Sequence, residues 1–144
     1  MSKWCHQTHE VEFHECDHLA NGVHNAAYFI WFERARFQIV KDLGLMELFQ
    51  QNADELDDTL IFPVLEAECK YIHTIPVGTV VSVRTRLEKP KMAQLIFHHV
   101  VTDVDTGLDY CTGKTTVGIV SHKNGFLLNL DKRIKDFIAL YLKG

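Results

Sequence analysis

The chain has 144 residues, 47% of them hydrophobic and 24% charged, with a formal net charge of −4. That length suits one domain, 1–144, with an ordinary packed core, and the negative balance argues against a protein built to coat a nucleic-acid backbone. The longest uninterrupted apolar run, Ala26 to Phe32, is far shorter than the roughly 20 residues a membrane-spanning helix needs, so no membrane insertion is expected.

The opening residues, Met1 to His6, contain no charged region followed by a long apolar stretch, so no signal peptide is expected and a cytoplasmic protein is the default. Cys5, Cys16, Cys69 and Cys111 form no C-x-x-C pair and are expected to remain reduced. A first strand is expected near Thr8 to Glu15, where Val11 and Phe13 alternate with Glu10, Glu12 and His14. A loop, Cys16 to His24, follows. The longest helix is expected from about Asn25 to Leu43. Asn25 can act as N-cap by accepting from a backbone N–H of the first turn, and Gly44 can close the helix in the left-handed conformation. Tyr28, Phe32, Ala35, Ile39 and Leu43 form an apolar stripe at spacings of three and four. Phe29, Ile30 and Trp31 make the first two turns apolar on nearly every side, which predicts a helix largely enclosed by other structure.

A shorter helical piece, Met46 to about Leu56, leads into the β region. Leu65, Ala67, Cys69 and Tyr71 alternate with Glu66, Glu68 and Lys70, the pattern of a one-sided strand. Pro76-Val77-Gly78 turns the chain, and Val81, Val83, Thr85 and Leu87 alternate again until Lys89-Pro90-Lys91. The next strand spans Met92 to Val104, with a tight hairpin at Asp105-Thr106-Gly107. The last long strand runs from Tyr110 to His122 and ends at Lys123-Asn124-Gly125. A final amphipathic helix starts near Asp131, with Ile134, Phe137, Ile138 and Tyr141 on one face. Helices between successive strands, which a parallel α/β fold requires, are missing. The pattern is α+β: a curled antiparallel sheet of about five strands, four of them at hairpin spacing, wrapped around one long helix.

That element order, with Asp17 ahead of Asn21-Gly22-Val23-His24-Asn25-Ala26-Ala27-Tyr28 and Trp31-Phe32-Glu33-Arg34-Ala35-Arg36, resembles the hotdog-fold thioesterases of the 4-hydroxybenzoyl-CoA thioesterase-like family. Pro63-Val64-Leu65 to Lys70-Tyr71 and Pro76-Val77-Gly78-Thr79 are similar to that family's second and third strands. The loop from Asp17 to Tyr28 is one residue longer than the family's usual spacing, and its Gly is displaced. The resemblance implies a hotdog fold with a C-terminal helix. It implies hydrolysis of an acyl-CoA to a carboxylic acid and free CoA, with no cofactor beyond the CoA of the substrate, and assembly into homodimers or homotetramers. By the same resemblance Asp17 is the nucleophile or general base, and the backbone N–H of Asn25, at the start of the long helix, polarises the thioester carbonyl.

Each singled-out residue also has an ordinary reading. Asp17 can cap a turn through its side chain. Glu33, on a very apolar helix, is a reserve carboxylate more simply read as an ion-pair partner of Arg34, Arg36 or another cation. His6 and His9 would face opposite sides of a strand, and no second close pair of ligands accompanies them, so no metal is expected. Cys16, beside Asp17, could be a nucleophile given an activating base or cation, but reads more simply as a small buried hydrophobe. Arg84, Arg86, Lys89 and Lys91 are the obvious basic group, or equally a solvated strand face. Hydrolysis of acyl groups on acyl carrier protein, or non-catalytic acyl-CoA binding, are the alternative functions.

Overall fold

In a computed structural model the described residues are 3–19, 21–44, 60–121, 125–126 and 132–143; the expected helix at Met46 to Leu56 lies outside them. Five strands form the main sheet: β1 (Trp4–Glu10), β5 (Val64–Tyr71), β6 (Val80–Leu87), β7 (Gln94–Asp103) and β8 (Asp109–Gly118). Their spatial order is β1-β6-β7-β8-β5, and every pairing is antiparallel. The chain is thus α+β, as its patterning implies. One expectation fails: β5 and β6 are consecutive but not neighbours. After Tyr71 the chain crosses the end of the sheet, where the Ile72 and His73 N–H groups donate to Tyr110 O and Val11 N–H donates to Thr79 O. That leaves β5 on one edge beside β8, and β1 on the other.

The alternation predicted for β6 is realised. Val81, Val83, Thr85 and Leu87 are buried, while Arg84 and Arg86 lie on the opposite face. The first strand starts and stops earlier than expected, because Trp4 to Glu10 pair residue for residue with Arg86 to Val80. Beyond it, Val11 is buried, Phe13 is 75% exposed, and Phe13–Glu15 make a single 3-10 turn. Alternation in the sequence there reflects a turn, not a ladder. Two further strands, β2 (Cys16–Asp17) and β3 (Gly22–Val23), form a small hairpin inside what reads as a loop. Short β4 (Leu60–Ile61) and β10 (Gly125–Phe126) flank β9 (Val120–Ser121), which interrupts the expected long last strand after Gly118.

Helix α1 spans Ala27–Asp42, 16 residues and shorter at both ends than predicted. Its stripe Tyr28, Phe32, Ala35 and Ile39 packs into the concave side of the sheet, together with Trp31. Burial of each such large side chain stabilises the fold by about 1.5–3 kcal/mol. Gly44 has φ +77 and its N–H donates to Lys41 O, the left-handed termination expected. The outer side of α1 is not enclosed in the single chain: Ile30 and Phe37 are exposed. The C-terminal helix α2 (Lys132–Lys143) buries Ile134, Ile138 and Tyr141 against the far end of α1 and the inner faces of β6 and β7.

Phe32 is the contact that seats α1. Its ring stacks on His99 with centroids 4.2 Å apart and planes 7° from parallel. A Cβ on Gly113 would lie 2.6 Å from Phe32 Cε2, so this strand position must be glycine for the ring to sit there. His99 is held between Thr85 Oγ1 at 2.8 Å and Thr115 Oγ1 at 3.0 Å, a polar rung across three strands beneath the helix.

Burial, with Arg36 and His98 nearby, pushes the His99 imidazole down to about 3 from its ordinary 6.5. The unfolded chain therefore takes up this proton at a pH where the folded one does not. The stabilisation is fully present above pH 6.5 and is lost as pH falls toward 3. One such proton contributes a slope of about 1.4 kcal/mol per pH unit across that window. Urea unfolding at a series of pH values is expected to show this slope, and His99→Gln to lack that share of it. An unchanged slope in the variant would refute the assignment.

Candidate functional site

Asp17 sits on β2 opposite Gly22 of β3, and the hairpin loop between them turns back through Asn21 at φ 54. The side chain does cap the turn: Leu19 N–H donates to Asp17 Oδ1 at 2.9 Å. Asp17 is nonetheless half-buried, and it lines a cavity of about 460 Å³ whose wall also includes Asn25, Tyr28, Tyr71, His73 and Thr74. The structure therefore brings Asp17 and Asn25, the two predicted site residues, to one cavity at the head of α1.

Asn25 is not the N-cap of the helix. That position falls to Ala26, which is already helical at φ −77 and ψ −23 and makes no side-chain cap bond. The capping is done from one residue further back: His24 Nδ1 accepts from Ala26 N–H at 3.0 Å, and His24 O accepts from Ala27 N–H. The carbonyl of Asn25 accepts from the Tyr71 hydroxyl at 2.8 Å, so the peptide after Asn25 is held at both its ends. The Asn25 N–H itself has no acceptor among the described residues. A fixed turn whose amide is uncommitted among the described residues, lining one cavity with a carboxylate, is suited to meeting a developing oxyanion.

The aromatic wall is neutral. Burial pushes the Tyr28 hydroxyl far up, with the Cys111 and Cys69 thiols adding to the effect. Burial, reinforced by Cys69, raises Tyr71 to about 12. The two rings meet edge to face at 5.1 Å. Tyr71 can thus donate to Asn25 O throughout the neutral range.

Two constraints set the hairpin against its surroundings. Val23 N–H donates to Ile75 O at 3.0 Å, and a Cβ on Gly22 would lie 2.6 Å from Thr74 Cγ2 and 2.7 Å from Ile75 O. On the other side Glu15 accepts from Trp31 Nε1 and His9 Nε2, each at 2.7 Å, and from Glu12 N–H at 2.9 Å. Burial tends to raise the Glu15 carboxyl, but the donors Glu12 N–H, His9 and Trp31 outweigh it and hold it below its ordinary value. Sequence reasoning passed over Glu15 and Tyr71. Their partners lie 16 and 46 residues away, and no local pattern encodes such separations.

The remaining candidates separate. Glu33 is exposed on the outer side of α1 and, among the described residues, makes no ion pair within 4.0 Å, contrary to the expected pairing with Arg34 or Arg36. Half-buried Arg36 instead donates to Thr115 Oγ1 at 3.4 Å. Cys16 is half-buried, with its Sγ 3.7 Å from Glu12 O. Arg84 and Arg86 flank the Trp4 ring on the convex face of the sheet, and Arg84 also reaches Thr102 and Asp109. Among the described residues, no three His, Cys, Asp or Glu side chains converge as metal ligands, and no helix is long and apolar enough to cross a membrane.

With a sheet curled around α1 and a carboxylate at the helix head, the architecture is that of the hotdog thioesterases. Residues 11–138 match the model of the thioesterase-like superfamily, and the chain belongs to that family. Among solved structures it is similar to YbaW, a probable thioesterase from Escherichia coli, at a TM-score of 0.81 and 15% identity over 95% of this chain and 98% of that one. It is similar to the DHNA-CoA thioesterase of Staphylococcus aureus at 0.77 and 22%, over 97% and 89%. A 1,4-dihydroxy-2-naphthoyl-CoA thioesterase from Synechocystis aligns at 0.79 and 11%, over 95% and 96%. No protein of curated function matches the chain by sequence.

Because the Gly22 Cβ position is occupied by backbone, Gly22→Ala must displace the hairpin that carries Asp17. It is expected to lower stability by about 1–3 kcal/mol in urea unfolding. Wild-type stability in that variant would mean that the hairpin is not tightly seated on Ile75.

Proposed function

We propose that this protein is an acyl-CoA thioesterase whose reaction occurs in the cavity shared by Asp17, Asn25 and Tyr28. The observation that carries the reading is that Asp17 and Asn25, whose N–H has no acceptor among the described residues, line one cavity in a chain of the thioesterase-like superfamily. The thioester carbonyl accepts from the Asn25 N–H, and the negative charge that grows on its oxygen is stabilised there. Donors of this kind are typically worth roughly 3–4 kcal/mol of barrier. Asp17 then acts in one of two ways. As a general base it takes a proton from water while the resulting hydroxide adds to the carbonyl carbon. As a nucleophile it adds directly, and water opens the mixed anhydride. Both routes break the carbon–sulfur bond, release the CoA thiolate and leave a carboxylic acid.

Thiol release should be followed across short, medium and aromatic acyl-CoAs and matched acyl carrier protein substrates. The aromatic arm is motivated by structural relatives named for 1,4-dihydroxy-2-naphthoyl-CoA and gentisyl-CoA. Turnover of at least one acyl-CoA is expected, and Asp17→Asn is expected to lower it by roughly 10²-fold with the fold intact. Near-normal turnover in that variant would remove Asp17 from the chemistry. Binding without any thiol release would favour a non-catalytic acyl-CoA-binding protein.

The cavity is open in the single chain, and β5 beside it is, among the described residues, an edge strand paired only with β8. Of its eight residues only Cys69 is even half-buried, and Val64, Leu65, Tyr71 and neighbouring Ile72 are exposed. Pairing two such edges across a two-fold axis would satisfy their backbone groups and cover this apolar strip. The working form is therefore at least a dimer. Sedimentation at micromolar concentration is expected to give twice or four times the chain mass, and a monomer would contradict the assignment.

A further inference from the structure

Glu15 and Asp17 stand two residues apart in opposite circumstances. The Glu15 side chain is only 10% exposed and its carboxylate receives three donors. Asp17 is half-buried and receives one among the described residues, Leu19 N–H. A carboxylate that already accepts three hydrogen bonds has little capacity left for substrate, whereas one with a single local bond is free to face a cavity. The donors to Glu15 come from different parts of the fold: His9 from β1, Glu12 from the approach to the 3-10 turn, and Trp31 from the second turn of α1. Because an ionised carboxylate only accepts, His9 must carry its proton on Nε2. The main chain of Glu15 continues the connection, since its carbonyl accepts from His24 N–H at 2.7 Å, one residue before Asn25.

From this geometry we infer that Glu15 is a positioning residue. By tying β1, the β2–β3 hairpin and α1 to one point, it holds Asp17 and the Asn25 amide in register across the cavity. The inference rests on the reading of Asp17 and Asn25 as the reacting pair. Glu15 itself touches no reacting atom. Its effect passes through two short paths: along the chain to Asp17, and through the His24 amide to Asn25.

Glu15→Gln replaces one acceptor oxygen with a donor, so one of the three donors loses its partner. In the full-length variant, solvent exchange of the His24 amide is expected to quicken, and kcat for an acyl-CoA turned over by the parent to fall roughly tenfold with KM within about twofold. Placed on Asp17→Asn, the same substitution is expected to lower the residual rate by a smaller factor than in the parent, because the path through Asp17 is then cut and only the one through the His24 amide to Asn25 remains. Trp31→Phe, which removes one donor and leaves the carboxylate, is expected to shift kcat in the same direction by a smaller factor. It serves as the test if Glu15→Gln does not fold. Quickened exchange with unchanged kcat, unchanged exchange, or equal fractional losses in both backgrounds would each overturn the positioning role. Parent-like turnover in Asp17→Asn alone would instead bring down the underlying reading. The exchange measurement would then still report whether the tie exists, so the two failures are distinguishable.

Discussion

The seating of Phe32 in the sheet is the constraint on which the rest depends. The ring needs a flat, sterically empty patch in the middle of a curved sheet, and two residues on adjacent strands supply it: His99 as a parallel face and Gly113 as an absent side chain. His99 lies flat because threonines on both neighbouring strands hold its two ring nitrogens. The buried polar rung is thus a locating device. It costs nothing in unsatisfied hydrogen bonds because both nitrogens have partners. Once Phe32 is placed, Trp31 and Tyr28 follow from helical geometry, and with them the head of α1.

The site is assembled outward from that helix head. Trp31 reaches Glu15, Tyr28 meets Tyr71, and Tyr71 in turn holds the Asn25 carbonyl. Asp17 arrives from a separate element, the β2–β3 hairpin, which Ile75 and Gly22 bring close to the crossing segment between β5 and β6. Two independent routes to one cavity give the fold its chemical capacity. In the proposed reaction, water approaches a carbonyl held by the Asn25 amide, with the Asp17 carboxylate lining the same cavity. Neither the helix nor the hairpin offers both.

Tyr71 also connects the site to the edge of the sheet. It is the last residue of β5, the strand with the least cover in the single chain, and it is 46% exposed. A hydrogen bond from an edge strand to the turn before α1 means that anything pairing with that edge sits beside the cavity. The bulge between Val64 and Glu66 falls near the opposite end of β5, leaving a regular ladder from Glu66 to Tyr71 next to the site.

Much of the architecture was legible from the order and period of residues. Alternation at Val81 to Leu87, the stripe from Tyr28 to Leu43, Gly44 as terminator and the face of α2 are local properties, and tertiary packing did not override them. Asp17 and Asn25 could be singled out because the loop-helix segment is contiguous in sequence. Local pattern misled where it described a turn: Val11 to Glu15 alternates like a strand but closes on itself once the Glu15 carboxylate takes the Glu12 N–H. It also could not show that β5 crosses to the far edge, since hairpin spacing is the same whether or not the strands pair. The sequence by itself therefore determined the long helix, the main strands and the candidate residues for the chemistry. Only the tertiary structure decided which of them meet, because Glu15 with Trp31, Tyr71 with Asn25 and Phe32 with His99 and Gly113 are contacts between segments far apart in the chain, created when the sheet curls over the helix.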